Sequence, residues 1–228
     1  MPLADISLAD GLVIVWFFLC WIGYTHYADH DSRRAHSLMG NMHRYRLDWM
    51  RRMIERDNRV LDSTIVTMLQ QGVNFFASTS IFILAGLMAI LGAGDAARNV
   101  VAALPYAITT SGAVWEGKVL LLAAIFVYAF FKFTWGMRLF NYVSTLIGAV
   151  PLPANCATPE IYADRAARMA SRAAEHFNRG IRAYYFGLAA LTWFLHPWLF
   201  AAASLWVVLV LYRREFRSHV LHILESPS

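Results

Sequence analysis

Four stretches of the chain are apolar over about the length of a membrane crossing, and the polar positions between and within them recur with helical spacing. Leu8 to Tyr27 holds one early acid, Asp10; Val73 to Leu91 holds no charge; Val119 to Phe131 is free of charge between Lys118 and Lys132; and Tyr185 to Leu211 is broken only by His196 and Pro197. About 20 apolar residues in a helix cross a hydrocarbon core of about 30 Å. The pattern predicts transmembrane helices over 8–27, 73–92, 118–139 and 184–212, and cytoplasmic helices over 33–71 and 158–183. The expected fold is therefore all-α: a polytopic membrane protein, one membrane domain over 1–228, with about four spans and long helical cytoplasmic extensions.

Between the first two spans, Leu38, Met42, Tyr45, Trp49 and Met53, and then Leu61, Ile65 and Met68, keep steps of three, four and seven, the period of an amphipathic helix. No proline or linker separates this pattern from the second apolar stretch, so a single rod of about 50 residues, about 75 Å long, is expected. Along it Thr64, Thr67, Gln71, Asn74 and Ser78 form one line that continues through Ala85, Ala89 and Gly92. Polar groups entering a bilayer face protein or water, because lipid offers them no partner. The line either borders an aqueous path or packs against another helix through hydrogen bonds and small side chains.

Composition agrees with the pattern. Of 228 residues 58% are hydrophobic and 14% aromatic, with a mean hydropathy of +0.45, well above an ordinary soluble chain. The net charge of +5 comes largely from arginines at 33–62 and 165–182, which marks those segments as cytoplasmic. That places the N-terminus outside and the poorly charged loop 92–117 outside. Four spans would also leave the C-terminus outside, yet the basic run RREFRSH follows Tyr212. A kinked fourth span is expected, with re-entry at His196-Pro197 as the alternative; a proline inside a helix frees the carbonyl four residues back.

The candidate chemistry is sparse. On the third span Lys132 and Arg138 place cations where the apolar run ends, and an intramembrane cation is either functional or snorkelling toward the headgroups. With Thr67, Gln71, Asn74, Ser78 and Thr79 they are the candidate pore or ion-binding residues. Arg52, Glu55, Arg56, Arg59 and Asp62 form a cytoplasmic charged network, with Asp48–Arg52, Arg51–Glu55 and Glu55–Arg59 at the spacing that pairs along a helix. His26 and His30 lie on one helix face but lack a third strong ligand nearby, so no metal and no cofactor are expected. Cys20 and Cys156 are expected to be reduced, the first run shows no signal-peptide cleavage site, and nucleotide-loop and hydrolase motifs are absent.

The strings DWMRRMIERDNRVLDS, NFFASTSIFIL, FKFTWGMRLFNY, IGAVP and YRREFRSH, in that order over roughly residues 44–219, resemble the bacterial membrane family known as domain-of-unknown-function family 599. The resemblance implies a multi-span helical membrane protein and carries no catalytic residues to this chain. Three functions remain open. The first is a homo-oligomeric channel or transporter of the bacterial inner membrane for small anions, in contact with lipid and not with nucleic acid. The second is a scaffold or accessory subunit, and the third a metal-dependent membrane enzyme using His26, His30 or His196.

Overall fold

The computed structural model describes residues 7–30, 33, 37–103, 111–152 and 157–225. Expectations that fall on Arg34, Pro105, Pro153 and Cys156 lie outside these residues. Eight α-helices and no strand occur among the described residues: α1 Leu8–Asp29, α2 Leu38–Ile54, α3 Val60–Ala93, α4 Asp95–Ala102, α5 Gly112–Ala149, α6 Pro159–Leu191, α7 Pro197–Phe216 and α8 His219–Glu225. Three of them, α1, α3 and α5, are long and apolar enough to cross a membrane. Their large apolar side chains, among them Leu12, Leu19, Ile22, Phe82, Leu120 and Phe131, are exposed on the chain. Exposed apolar surface of this extent needs a lipid solvent. This is a membrane protein with transmembrane helices.

Contacts divide the chain into two units, the first built from Met1–His30, Thr79–Ala129 and Ile181–Arg214, the second from Asp31–Ser78, Phe130–Gly180 and Glu215–Ser228. In the first, apolar unit, α1 buries one stripe, Asp10, Val13, Phe17, Cys20, Tyr24 and Ala28, at steps of three and four. Trp193 Nε1 donates to Asp10 at 2.8 Å and Arg182 pairs with Asp29 at 2.9 Å, so α6 runs antiparallel to α1. Nineteen residues separate Asp10 from Asp29, about 28 Å of helix. Between these ends Phe17 meets Phe186 at 5.7 Å and Phe200 at 5.0 Å, and Trp21 stacks on Phe186 at 5.6 Å.

The fourth apolar stretch is not one kinked span. α6 stops at Leu191, a 3₁₀ turn covers Thr192–Phe194, and α7 begins at Pro197. Trp16 Nε1 donates to the Ala201 carbonyl at 3.2 Å and Tyr27 meets Tyr212 at 6.2 Å, so α7 runs parallel to α1 and back along α6. Arg214, near the end of α7, donates to the hydroxyl of Tyr185 on α6. The expected single helix over 184–212 is thus a helical hairpin. The local cause is a helix restart: proline fits the first helical position because its missing N–H needs no partner there, and His196 Nδ1 accepts from Trp198 N at 3.2 Å.

The second unit is the charged one. Ala163, Ala166, Ala167, Ala170 and Ala173 are all buried on α6, which lets α5 come close. A Cβ at Gly136 would lie 3.2 Å from the Ala173 carbonyl. Phe76, Phe133 and Phe177 pack as a triad with centroids 5.5 to 5.7 Å apart. Met50, Met53 and Ile54 anchor α2, with His43 at 2.9 Å from Ser171 and Arg51 at 3.1 Å from Glu160 of α6.

The expected unbroken helix over 33–71 is interrupted. α2 ends at Ile54, and 55–59 form a turn in which Asn58 Oδ1 caps Val60 N at 3.0 Å. Asparagine and aspartate compete locally with helix bonds, and Asp57-Asn58 stands at the break. The break separates Glu55 from Arg59, and among the described residues Asp48–Arg52 and Arg51–Glu55 do not pair either, because Arg51 pairs with Asp48 at 3.5 Å and with Glu160. α4 occupies part of the expected loop 92–117, entered through Gly94 at φ +51°, which favours glycine.

Candidate functional site

The polar residues that the sequence places on one line of α3 face outward. The buried face of α3 is Asp62, Val66, Val73, Ala77, Ser80 and Leu87. Thr64, Thr67, Gln71, Asn74 and Ser78, and then Ala85, Ala89 and Gly92, are exposed. Only 17% of the apolar window of α3 is buried, against 44% for α5. Among the described residues, therefore, the line is not packed against another helix. Thr64 and Thr67 turn their hydroxyls back to the carbonyls of Val60 at 2.8 Å and Ser63 at 2.9 Å, while Gln70, beside the line, donates to Asn141 at 2.6 Å. Thr79 is half-buried.

The other predicted residues divide between pairing and exposure. Asp62 is wholly buried and accepts from Trp49 Nε1 at 2.7 Å and from Arg56 at 2.6 Å. Arg59 donates to the carbonyls of Ile147, Val150 and Pro151, the last at 2.9 Å, where the end of α5 leaves acceptors without helical donors. Of the expected network, Arg56 and Asp62 pair directly, Arg59 bonds separately to the end of α5, and Arg52 and Glu55 are exposed. Arg138 is exposed with its guanidinium 6.0 Å from the Trp135 ring. Lys132 is half-buried and acts electrostatically on His176 of α6. His26 and His30 stand at the end of α1, and no group of three or more His, Cys, Asp or Glu gathers among the described residues.

Sequence reasoning missed a buried charge cluster in the apolar unit. Lys118, only 2% exposed, donates from Nζ to the Trp193 carbonyl at 2.9 Å and lies 5.1 Å from the Trp193 ring. Trp193 in turn holds Asp10, so a cation and a carboxylate are joined through one tryptophan. The arrangement follows from covalent chemistry: Pro197 has no N–H for the carbonyl four residues back, which is that of Trp193. The freed carbonyl was predictable from the sequence; its partner, distant in the chain, was not. Beside it Trp115 meets Phe194 at 5.0 Å.

No curated protein and no solved structure matches the chain. A family model described as "Protein of unknown function, DUF599" matches residues 12–220, most of the chain, and the protein belongs to that family.

Proposed function

We propose that the protein is a homo-oligomeric channel or transporter of the bacterial inner membrane that passes small anions, with its copies meeting along α3. The observation that carries this reading is the outward line Thr67, Gln71, Asn74 and Ser78 on the least buried of the three membrane helices. A polar line on a membrane helix is costly against lipid and is relieved by facing water or another polar helix. Repetition of the chain around an axis supplies both. The net charge of +5 favours anions near a shared vestibule. The hairpin supports an orientation with the N-terminus outside and every arginine-rich segment inside, because it returns the basic run after Tyr212 to the side from which α6 enters.

Chloride flux into liposomes containing the purified chain is expected to exceed that of empty vesicles, and Gln71→Leu with Asn74→Leu is expected to abolish the excess. Equal flux with and without protein, or an unchanged rate in the double variant, would overturn the reading. A second reading has its own observation. Ala85, Ala89 and Gly92 continue the line and are exposed, and small residues bring membrane helices into close contact without any conduit. A stable oligomer that passes no ion would favour this scaffold.

A further inference from the structure

In the apolar unit, the corner where α1 and α5 begin and α6 gives way to α7 holds more hydrogen-bond donors than it uses. Trp115 is 5% exposed, and its Nε1 has no acceptor among the described residues. Lys118, buried three residues further along α5, carries three N–H groups as an ammonium. One of them goes to the Trp193 carbonyl at 2.9 Å, and among the described residues that is its one hydrogen bond. Residues three apart are neighbours on a helix surface, and both side chains border the same ring. Trp115 meets Phe194 edge to face at 5.0 Å, and Lys118 Nζ lies 5.9 Å from the Phe194 centroid. An unmade buried donor is costly, and folded interiors give nearly all such groups a partner in protein, water or a bound ion.

The charges around the corner set the kind of partner. Asp10 is 7% exposed and accepts from Trp193 Nε1 at 2.8 Å, so Trp193 stands between this carboxylate and the ammonium. Glu116 is exposed, and Arg98, which reaches Gly112 at the start of α5, pairs with Asp95 at 2.7 Å. The groups left unmet on α5 are donors, which excludes a cation. An acceptor without hydrogens of its own suits them, which favours an anion over water. One ammonium, partly balanced by Asp10, leaves a dianion uncompensated in apolar surroundings, and burying such charge is expensive.

We propose that Lys118 Nζ and Trp115 Nε1 bind a small monovalent anion, of the size of chloride, beside the turn at Trp193 and Phe194. The site uses none of the residues of the polar line on α3 and does not rest on conduction. A chain that holds chloride here and passes none keeps the site and loses the flux reading.

The test is thermal unfolding of the full chain in uncharged detergent at constant ionic strength, with potassium gluconate replaced stepwise by potassium chloride. A ligand that binds only the folded state raises the midpoint with its concentration. Chloride is expected to raise it to saturation above the value in gluconate, which is bulky, and bromide is expected to do the same. Trp115→Phe keeps a ring against Phe194 and removes the N–H. It is expected to weaken the apparent chloride affinity about tenfold, the scale of one hydrogen bond to a charged acceptor, without lowering the midpoint in gluconate. Lys118→Gln removes the charge and is expected to abolish the chloride increment; Trp115→Phe supplies the measurement if that variant does not fold. Equal midpoints in chloride and gluconate, as for a corner filled by water only, an increment that never saturates, or an unchanged chloride dependence in Trp115→Phe would each overturn the proposal.

Discussion

Each unit buries one aspartate against a tryptophan, and the two differ in how the neighbouring cation is satisfied. In the charged unit Trp49 and Arg56 both donate to Asp62, and Arg56 keeps 37% of its side chain exposed. In the apolar unit Trp193 alone donates to Asp10, while Lys118 turns to the Trp193 carbonyl. Near water a carboxylate and a guanidinium can pair directly, since part of the cation stays hydrated. Away from water each charge also needs hydrogen bonds, and a backbone carbonyl freed by a helix break is an acceptor already present. The Pro197 restart therefore reverses the chain and supplies a ligand for Lys118 in one step.

The largest expected effect comes from breaking the direct pair. Asp62→Ala leaves the indole N–H of Trp49 and the guanidinium of Arg56 without their acceptor. Breaking a buried pair costs about 3 to 5 kcal/mol, and the partial exposure of Arg56 sets the expectation near about 3 kcal/mol. Lys118→Met removes a cation that, among the described residues, donates to one carbonyl, and a buried acceptor left unmade costs about 1 to 3 kcal/mol. Chemical unfolding in detergent measures both. A larger loss at Lys118 than at Asp62 would reverse the comparison.

Packing gives a second contrast at lower cost. A Cβ at Gly180 would lie 2.5 Å from Phe133 Cε1, and Phe133 is fully buried within its aromatic triad. In the apolar unit, a Cβ at Gly187 would lie 3.1 Å from Phe126 Cζ, a gap that a shift of a few tenths of an ångström relieves. Gly180→Ala is expected to destabilise by about 1 to 3 kcal/mol, the usual cost of overpacking. Gly187→Ala is expected to cost under about 1 kcal/mol by the same measure. Equal losses in thermal unfolding would show that Phe133 can yield as readily as Phe126.

These contrasts also mark where the sequence was legible. The apolar stripes of α1, α3 and α5 could be read because each helix buries one face; spacing put the polar residues of α3 on one line, but not which way that line faces, because the neighbours that bury the opposite face are distant in the chain. The break at 55–59 carried a local signal, Asp57-Asn58, but its position is stabilised from afar: Arg59 binds the end of α5 and Asp62 gathers Trp49 with Arg56. His196-Pro197 announced a break without its direction, because Phe17, Tyr27 and Tyr185 decide that α7 turns back. Lys118 drew no attention in the sequence, since its acceptor exists only once α6 has ended beside it. Lys132 and Arg138 were legible as unusual cations, but the contact of Trp135, beside Arg138, with His176 required the crossing of α5 and α6.

The last contrast is a pH dependence at His176, and its sign can be worked out. Burial first, and then Lys132, Arg179 and Arg172, lower its pKa from 6.5 to about 4. Between these values the unfolded chain binds the proton and the folded chain does not, so stability rises with pH across the window and is lost as pH falls from about 6.5 toward 4. Glu175, next to it in the chain, pairs with Arg172, and Lys132, Arg179 and Arg172 are the charges that act on the ring. Thermal midpoints in uncharged detergent are expected to fall between pH 7 and pH 5, and less steeply in His176→Gln; identical slopes would remove His176 from the account.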